Sequence, residues 1–185
     1  MNKAFAPVRI DTGVQGLNDI LSGGLPAGQM YLLEGTPGTG KTTLAMQFIR
    51  TAILAGEKGL YITLSESQKE LESSAQSHGW QIDELSIAEF VPEEASLHPE
   101  QQYTVFHPSE VELASTIHKL TELIELLRPV RIVIDSLSEL RLLAGDTMRY
   151  RRQLLALKQF FAGRDTTVLL PVSYTHLTLP TKRIV

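Results

Sequence analysis

Apolar and polar positions follow two rhythms along this chain, and the switches between them mark out its elements. Short apolar runs at Met30–Glu34, Gly59–Leu64 and Arg131–Asp135 read as buried strands, and Thr166–Leu170 and Ser86–Val91 read as two more. Between them the apolar period lengthens to that of a helix. One helix is predicted over about Lys41 to Ala55, closed by Gly56. A polar helix covers Gln68–His78. A longer one opens on Ser109 and Glu112 as a capping box, carries Leu113, Ile117, Leu120, Ile124 and Leu127 along one face, and ends at Pro129. Asp146–Ala162 places Tyr150, Leu154, Leu157 and Phe161 together, and Thr12–Leu21 reads as a short helix before the turn Ser22–Gly28.

Strands alternating with helices of this length predict an α/β fold in three layers, with a mainly parallel sheet covered on both faces. The pattern stops at Pro171, where the missing N–H is expected to interrupt a central strand. Residues 171–185 show neither period and resemble translated adapter sequence. The expectation is a domain over residues 1–170, incomplete at its C-terminal end, followed by an irregular foreign tail over 171–185.

Composition narrows the function classes. Apolar residues make up 43% and charged residues 21% of the 185, the balance of a soluble globular domain. No run approaches the roughly 18 apolar residues of a membrane span, and Met1–Gly13 has no apolar core of a secretory signal. The absence of cysteine removes disulfides and thiolate metal sites and fits a cytoplasmic setting. A net charge of −4 argues against nucleic acid as partner, because backbone binding rests on a basic surplus. His78, His98, His107, His118 and His176 are scattered without metal-ligand spacing.

The strongest chemical signal is Gly35-Thr36-Pro37-Gly38-Thr39-Gly40-Lys41-Thr42, followed by Thr43, between a predicted strand and a predicted helix. Glycines let the backbone turn with positive φ, so that successive N–H groups aim at phosphate oxygens. The helix that follows adds about half a positive charge at its N-terminus. Lys41 is expected to reach the β- and γ-phosphates of ATP, and the Thr42 hydroxyl is the expected ligand for Mg²⁺. Asp135, at the end of an apolar strand, supplies a carboxylate for the magnesium shell at the sheet edge where ligands collect. Glu66, just past another strand, emerges at the same edge and is the candidate to orient the attacking water. Glu70 and Glu72 read as solvated charges on the polar helix. Ser136 and Ser138, beside Asp135, either approach the γ-phosphate or satisfy backbone groups.

Four segments carry a family resemblance: Thr12-Gly-Val-Gln-Gly-Leu17, Gly23-Gly-Leu-Pro-Ala-Gly28, Gly35–Thr43 and Ile134-Asp-Ser136. Together they resemble the KaiC branch of the RecA superfamily of P-loop ATPases, over roughly residues 8–170. The resemblance implies a RecA-like ATPase core that binds ATP and Mg²⁺ and assembles as a hexameric homo-oligomer, with nucleotide between neighbours. It also implies paired glutamates after the second strand. Here Ser65-Glu66 retains one, so Glu66 inherits the catalytic role beside Lys41. Arg149, Arg151 and Arg152 read as a solvated or subunit-facing surface rather than as groups reaching a neighbour's phosphates. The activity expected is slow Mg-dependent ATP hydrolysis. Its rivals are an autophosphorylating kinase of the circadian-clock type, a RadA-like DNA-repair ATPase, and a scaffold that binds ATP without hydrolysing it. RadA-like proteins carry a four-cysteine zinc module, which a cysteine-free chain cannot form.

Overall fold

The computed structural model describes residues 8–82, 84–90 and 108–173, without the side chains of 108–112. The Ser109–Glu112 capping pair, His98, His107, His176 and residues 174–185 lie outside the described set.

A two-residue ladder comes first, with β1 (Arg9–Ile10) antiparallel to β2 (Leu25–Pro26) around the short helix α1 (Gln15–Ile20). It depends on Gly24. A Cβ there would stand 2.1 Å from the Ile10 carbonyl oxygen, and φ is +114°. The body of the fold then alternates as the hydrophobic pattern predicts. Its elements are β3 (Met30–Gly35), α2 (Lys41–Leu54), β4 (Gly59–Thr63), α3 (Gln68–Ser77), β5 (Ser86–Glu89), α4 (Pro108–Leu127) and β6 (Arg131–Asp135), then α5 (Leu137–Ala144), α6 (Thr147–Phe161) and β7 (Thr167–Ser173).

Five strands form one sheet in the order β3-β7-β6-β4-β5, and every pair is parallel. Alternation along the strands divides the core in two. Leu60, Ile62 and Leu64 of β4 and its continuation, with Ile132 and Ile134 of β6, pack with α4, α5 and α6. Tyr61 and Val133, on the opposite face, pack with Met46, Phe48 and Ile49 of α2 and with Leu71 and Ala75 of α3. Helices thus cover both faces, and the three-layer α/β fold is the one the sequence predicts.

The last strand departs from expectation. β7 does not stop before Pro171 but runs to Ser173, with Leu33 and Pro171 facing each other in register. Thr167 N–H donates to the Val130 carbonyl on the β6 side, whereas Val168 N–H donates to the Gln29 carbonyl on the β3 side. By the same alternation Pro171 would direct its donor towards β6. The β6–β7 register ends at Leu169, so the donor that proline lacks falls where the ladder has already finished. At Ser173 that side is taken up by Ser138, whose Oγ accepts from Ser173 N–H at 3.0 Å and donates to its carbonyl at 3.0 Å. A boundary after Leu170 would cut this strand. Helix α5 also has no counterpart in the hydrophobic pattern. Its buried Leu137, Leu140 and Ala144 make too short a period to stand out, although Gly145, with φ +66°, ends it as a helix-closing glycine does.

Candidate active site

Three elements bring the predicted residues to the C-terminal edge of the sheet. β3 delivers Gly35, the loop Thr36–Gly40 is exposed, and α2 begins at Lys41. Gly38 and Gly40 have φ of +80° and +83°, which turns the loop back on itself where a side chain would be strained. Gly35 is needed for a different reason, since a Cβ there would stand 2.7 Å from Thr39 Oγ1. The loop closes on the Thr36 carbonyl, which accepts from Thr39 Oγ1 at 2.8 Å and from Lys41 Nζ at 2.7 Å. Pro37 lies within that turn, and Thr43 is half-buried in the first turn of α2.

Lys41 is only 9% exposed, and among the described residues no carboxylate lies within ion-pair distance of it. A buried ammonium held by one neutral carbonyl is electrostatically incomplete. An anion beside the exposed amides of the loop would complete it, as phosphate does in such loops.

Asp135 ends β6 with 7% exposure, and its Oδ2 accepts two hydroxyl hydrogens. Thr42 Oγ1 donates at 2.9 Å and Tyr61 OH at 2.6 Å. The Thr42 hydroxyl and the Asp135 carboxylate are hard oxygen donors side by side, the kind that magnesium takes together with substrate phosphates. Among the described residues no group of three His, Asp or Glu side chains could hold a metal ion, so a cation at this pair would complete its shell with water or substrate oxygens.

Glu66 follows β4 by three residues, and Thr63 fixes the turn that carries it. Thr63 Oγ1 donates to the Glu66 carbonyl at 2.6 Å and accepts from its N–H at 3.0 Å. Thr63 itself lies opposite Asp135 in the β4–β6 register. Burial raises the Glu66 carboxyl above its ordinary range, and the nearby charges of Asp135 and then Glu70 add to this. A carboxyl raised in this way is suited to accept a proton. Burial, reinforced by Asp135, pushes the Tyr61 phenol well above its usual value, so it stays a hydrogen donor.

The structure therefore gathers Lys41, Thr42, Asp135 and Glu66 with the loop. Ser138 is not among them, because its hydroxyl is committed to the Ser173 backbone. Glu70 belongs to the capping box of α3, where its carboxylate accepts from Ser67 N–H at 2.8 Å. Arg149, Arg151 and Arg152 lie on α6, with Arg149 3.2 Å from Asp146 at the start of the same helix. His118 pairs with Glu122 on the exposed face of α4, and His78 stacks on Trp80. Two residues that sequence reasoning passed over now stand out, Tyr61 and Thr63. The signal for both was the alternation of β4, which puts its odd positions on the side of α2.

The family profile described as "ATPase: KaiC" matches residues 10–176. The chain belongs to the KaiC family of ATPases. A UPF0273 protein of Aeropyrum pernix is 30% identical over 169 residues, which are 88% of this chain and 66% of that relative. The circadian clock protein KaiC3 of Synechocystis is 30% identical over 88% of this chain, and the match covers 32% of its length. The circadian clock oscillator protein KaiC of Thermosynechococcus vestitus is 33% identical over 132 residues, 70% of this chain and 25% of that relative. The chain thus spans just under two thirds of the first relative and about a third of KaiC3. The matched family is one of ATPases, which implies a nucleotide as ligand. No described helix is long and apolar enough to cross a membrane.

Proposed function

We propose that this domain binds ATP with Mg²⁺ at Gly35–Thr43 and hydrolyses it slowly, using Glu66 to orient water. The observation that carries the reading is the buried Lys41, which has no anionic partner among the described residues and stands beside exposed loop amides. Lys41 Nζ would exchange the Thr36 carbonyl for phosphate oxygens, and the amides of Thr36–Gly40 would hold the remaining ones. Thr42 and Asp135 would hold the magnesium ion, which when bound neutralises charge on the β- and γ-phosphates. Glu66, with its raised affinity for a proton, would align a water molecule and take up its hydrogen. The amides and Lys41 then meet the charge that develops on the γ-phosphoryl oxygens without having to reorganise. Assembly into a hexameric ring in the cytoplasm belongs to the same proposal and rests on the family alone.

Lys41→Ala tests the reading most directly. It should lower ATP affinity by about a hundredfold or more, because a desolvated cation facing phosphates contributes several kcal/mol. Calorimetry that finds equal affinity in the variant and the parent would remove the assignment.

A further inference from the structure

Two hydroxyls, not one, converge on Asp135. Thr42 Oγ1 at 2.9 Å is the partner that a phosphate-loop threonine supplies, and Tyr61 OH at 2.6 Å is the other. The tyrosine reaches it because of strand register. Thr63 lies opposite Asp135 and Tyr61 opposite Val133, so Tyr61 stands two residues below on the same face of the sheet. Its ring is fully buried in the cluster that includes Phe48, Ile49 and Val133, and only its hydroxyl meets a polar group. A ring packed in this way holds its oxygen fixed beside the Asp135 carboxylate. Both donors go to Oδ2. Among the described residues Oδ1 accepts no hydrogen bond, so the carboxylate is held by one oxygen and open at the other.

We propose that Tyr61 is the positioning residue of the divalent-cation site, holding the Asp135 carboxylate in one orientation so that Oδ1 stays available to the cation's shell. This rests on the assignment of Thr42 and Asp135 to magnesium made above. The Thr42 hydroxyl sends its hydrogen to Oδ2 and keeps its lone pairs for the metal, an arrangement that holds only while the carboxylate keeps its orientation. Without the phenol, Asp135 would have one side-chain donor and could rotate. The cost would then appear in cation binding, because the side chains that the Tyr61 hydroxyl meets are Asp135 and Thr42 and not the loop amides of Thr36–Gly40.

The readout is the gain in ADP affinity of the full chain on replacing EDTA by saturating Mg²⁺, which by linkage measures how well the site holds the cation. Tyr61→Phe should leave ADP affinity in EDTA within about twofold and shrink the magnesium-dependent gain about fivefold, less than the full worth of a hydrogen bond to a charged group because the phenol acts on the cation only through Asp135. Placing 4-aminophenylalanine at position 61, which keeps a donor on the ring, should restore most of the gain. In the Asp135→Asn background, Tyr61→Phe should have no further effect, since the tyrosine acts through that carboxylate. A Tyr61→Phe chain with the parent's full magnesium gain would overturn the inference alone, as would losses that simply add in the double variant. A weakened EDTA affinity equal to the weakened magnesium affinity would also overturn it, by making Tyr61 a general packing residue. If Asp135→Asn itself leaves the gain untouched, the magnesium assignment fails and the inference falls with it.

Discussion

A carboxyl group placed near two other carboxylates and partly out of water does not titrate as a free side chain does, and Glu66 is in that position. Burial, then Asp135, then Glu70 raise its affinity for a proton above the ordinary value of 4.5. The folded chain therefore holds this proton more tightly than the unfolded chain. As pH rises from the unfolded value through the raised folded one, the group costs stability, and above that window the cost is complete. Glu66→Gln removes the charge while keeping the shape. In nucleotide-free protein with EDTA, the variant and the parent should melt together near pH 4, below both values, and the variant should melt higher as pH approaches 7. A constant difference across that range would mean that Glu66 titrates as a solvated group. The same variant should keep ATP affinity within a few-fold while turnover drops about a hundredfold, the usual contribution of a positioned general base. Unchanged phosphate release would return Glu66 to the surface. Thr63 matters to either outcome, because its two hydrogen bonds to the Glu66 backbone set where the carboxyl emerges.

Between elements, the end of the sheet opposite the loop is tied by a single guanidinium. Arg131 opens β6 with 3% exposure, and its Nε donates to Glu57 Oε2 at 2.7 Å. Its NH1 group donates to the Asp11 carbonyl at 2.7 Å and, more weakly, to the Phe48 carbonyl at 3.4 Å. Its Cζ lies over the Phe48 ring, 5.4 Å from the centroid. One side chain thus joins the central strand, α2, the loop after it and the N-terminal segment. Next to it Asp11 is held below its usual carboxylate range, first by the Gly13 N–H and then by Asn18, so the segment is knotted locally as well. Arg131→Leu should destabilise the chain by about 2–3 kcal/mol, less than for a fully buried ion pair because Glu57 keeps some water. Denaturant titration measures this. A loss within about 0.5 kcal/mol would show that the N-terminal segment is held by its own turns.

Across the whole molecule, the all-parallel sheet leaves β3 as an outer strand among the described residues, with its Leu32 53% exposed. Beside it a groove of about 630 Å³ is lined by Leu32, Leu142, Tyr150, Leu154 and Val172. The strand that supports β3 on its inner side is β7, so the stability of the phosphate loop depends on how far β7 extends. Pro171, Val172 and Ser173 lie in register with Leu33, Glu34 and Gly35, the residues that lead into the loop. A chain ending at Leu170 should therefore melt about 5 °C below one ending at Ser173, for the loss of a few hydrogen bonds and of the Val172 contact. Equal melting points would place the end of the structural strand at Leu170 after all. The comparison turns on what local sequence could and could not encode. The glycine loop between β3 and α2 was legible because its geometry is local: the glycines act within one turn, and the strand and helix around them show their own periods. The three-layer fold was legible because short apolar runs alternate with helical stretches, and strands apolar on both faces must be covered on both. The partnership of Tyr61 with Asp135, the tether of Ser138 to Ser173 and the tolerance of Pro171 were not legible. Each depends on which strands become neighbours and in what register, and hydrogen bonds between residues 35 to 74 positions apart leave no periodic trace in the chain. Sequence determined the loop and the layers, whereas strand order and register decided which side chains meet at the loop's edge.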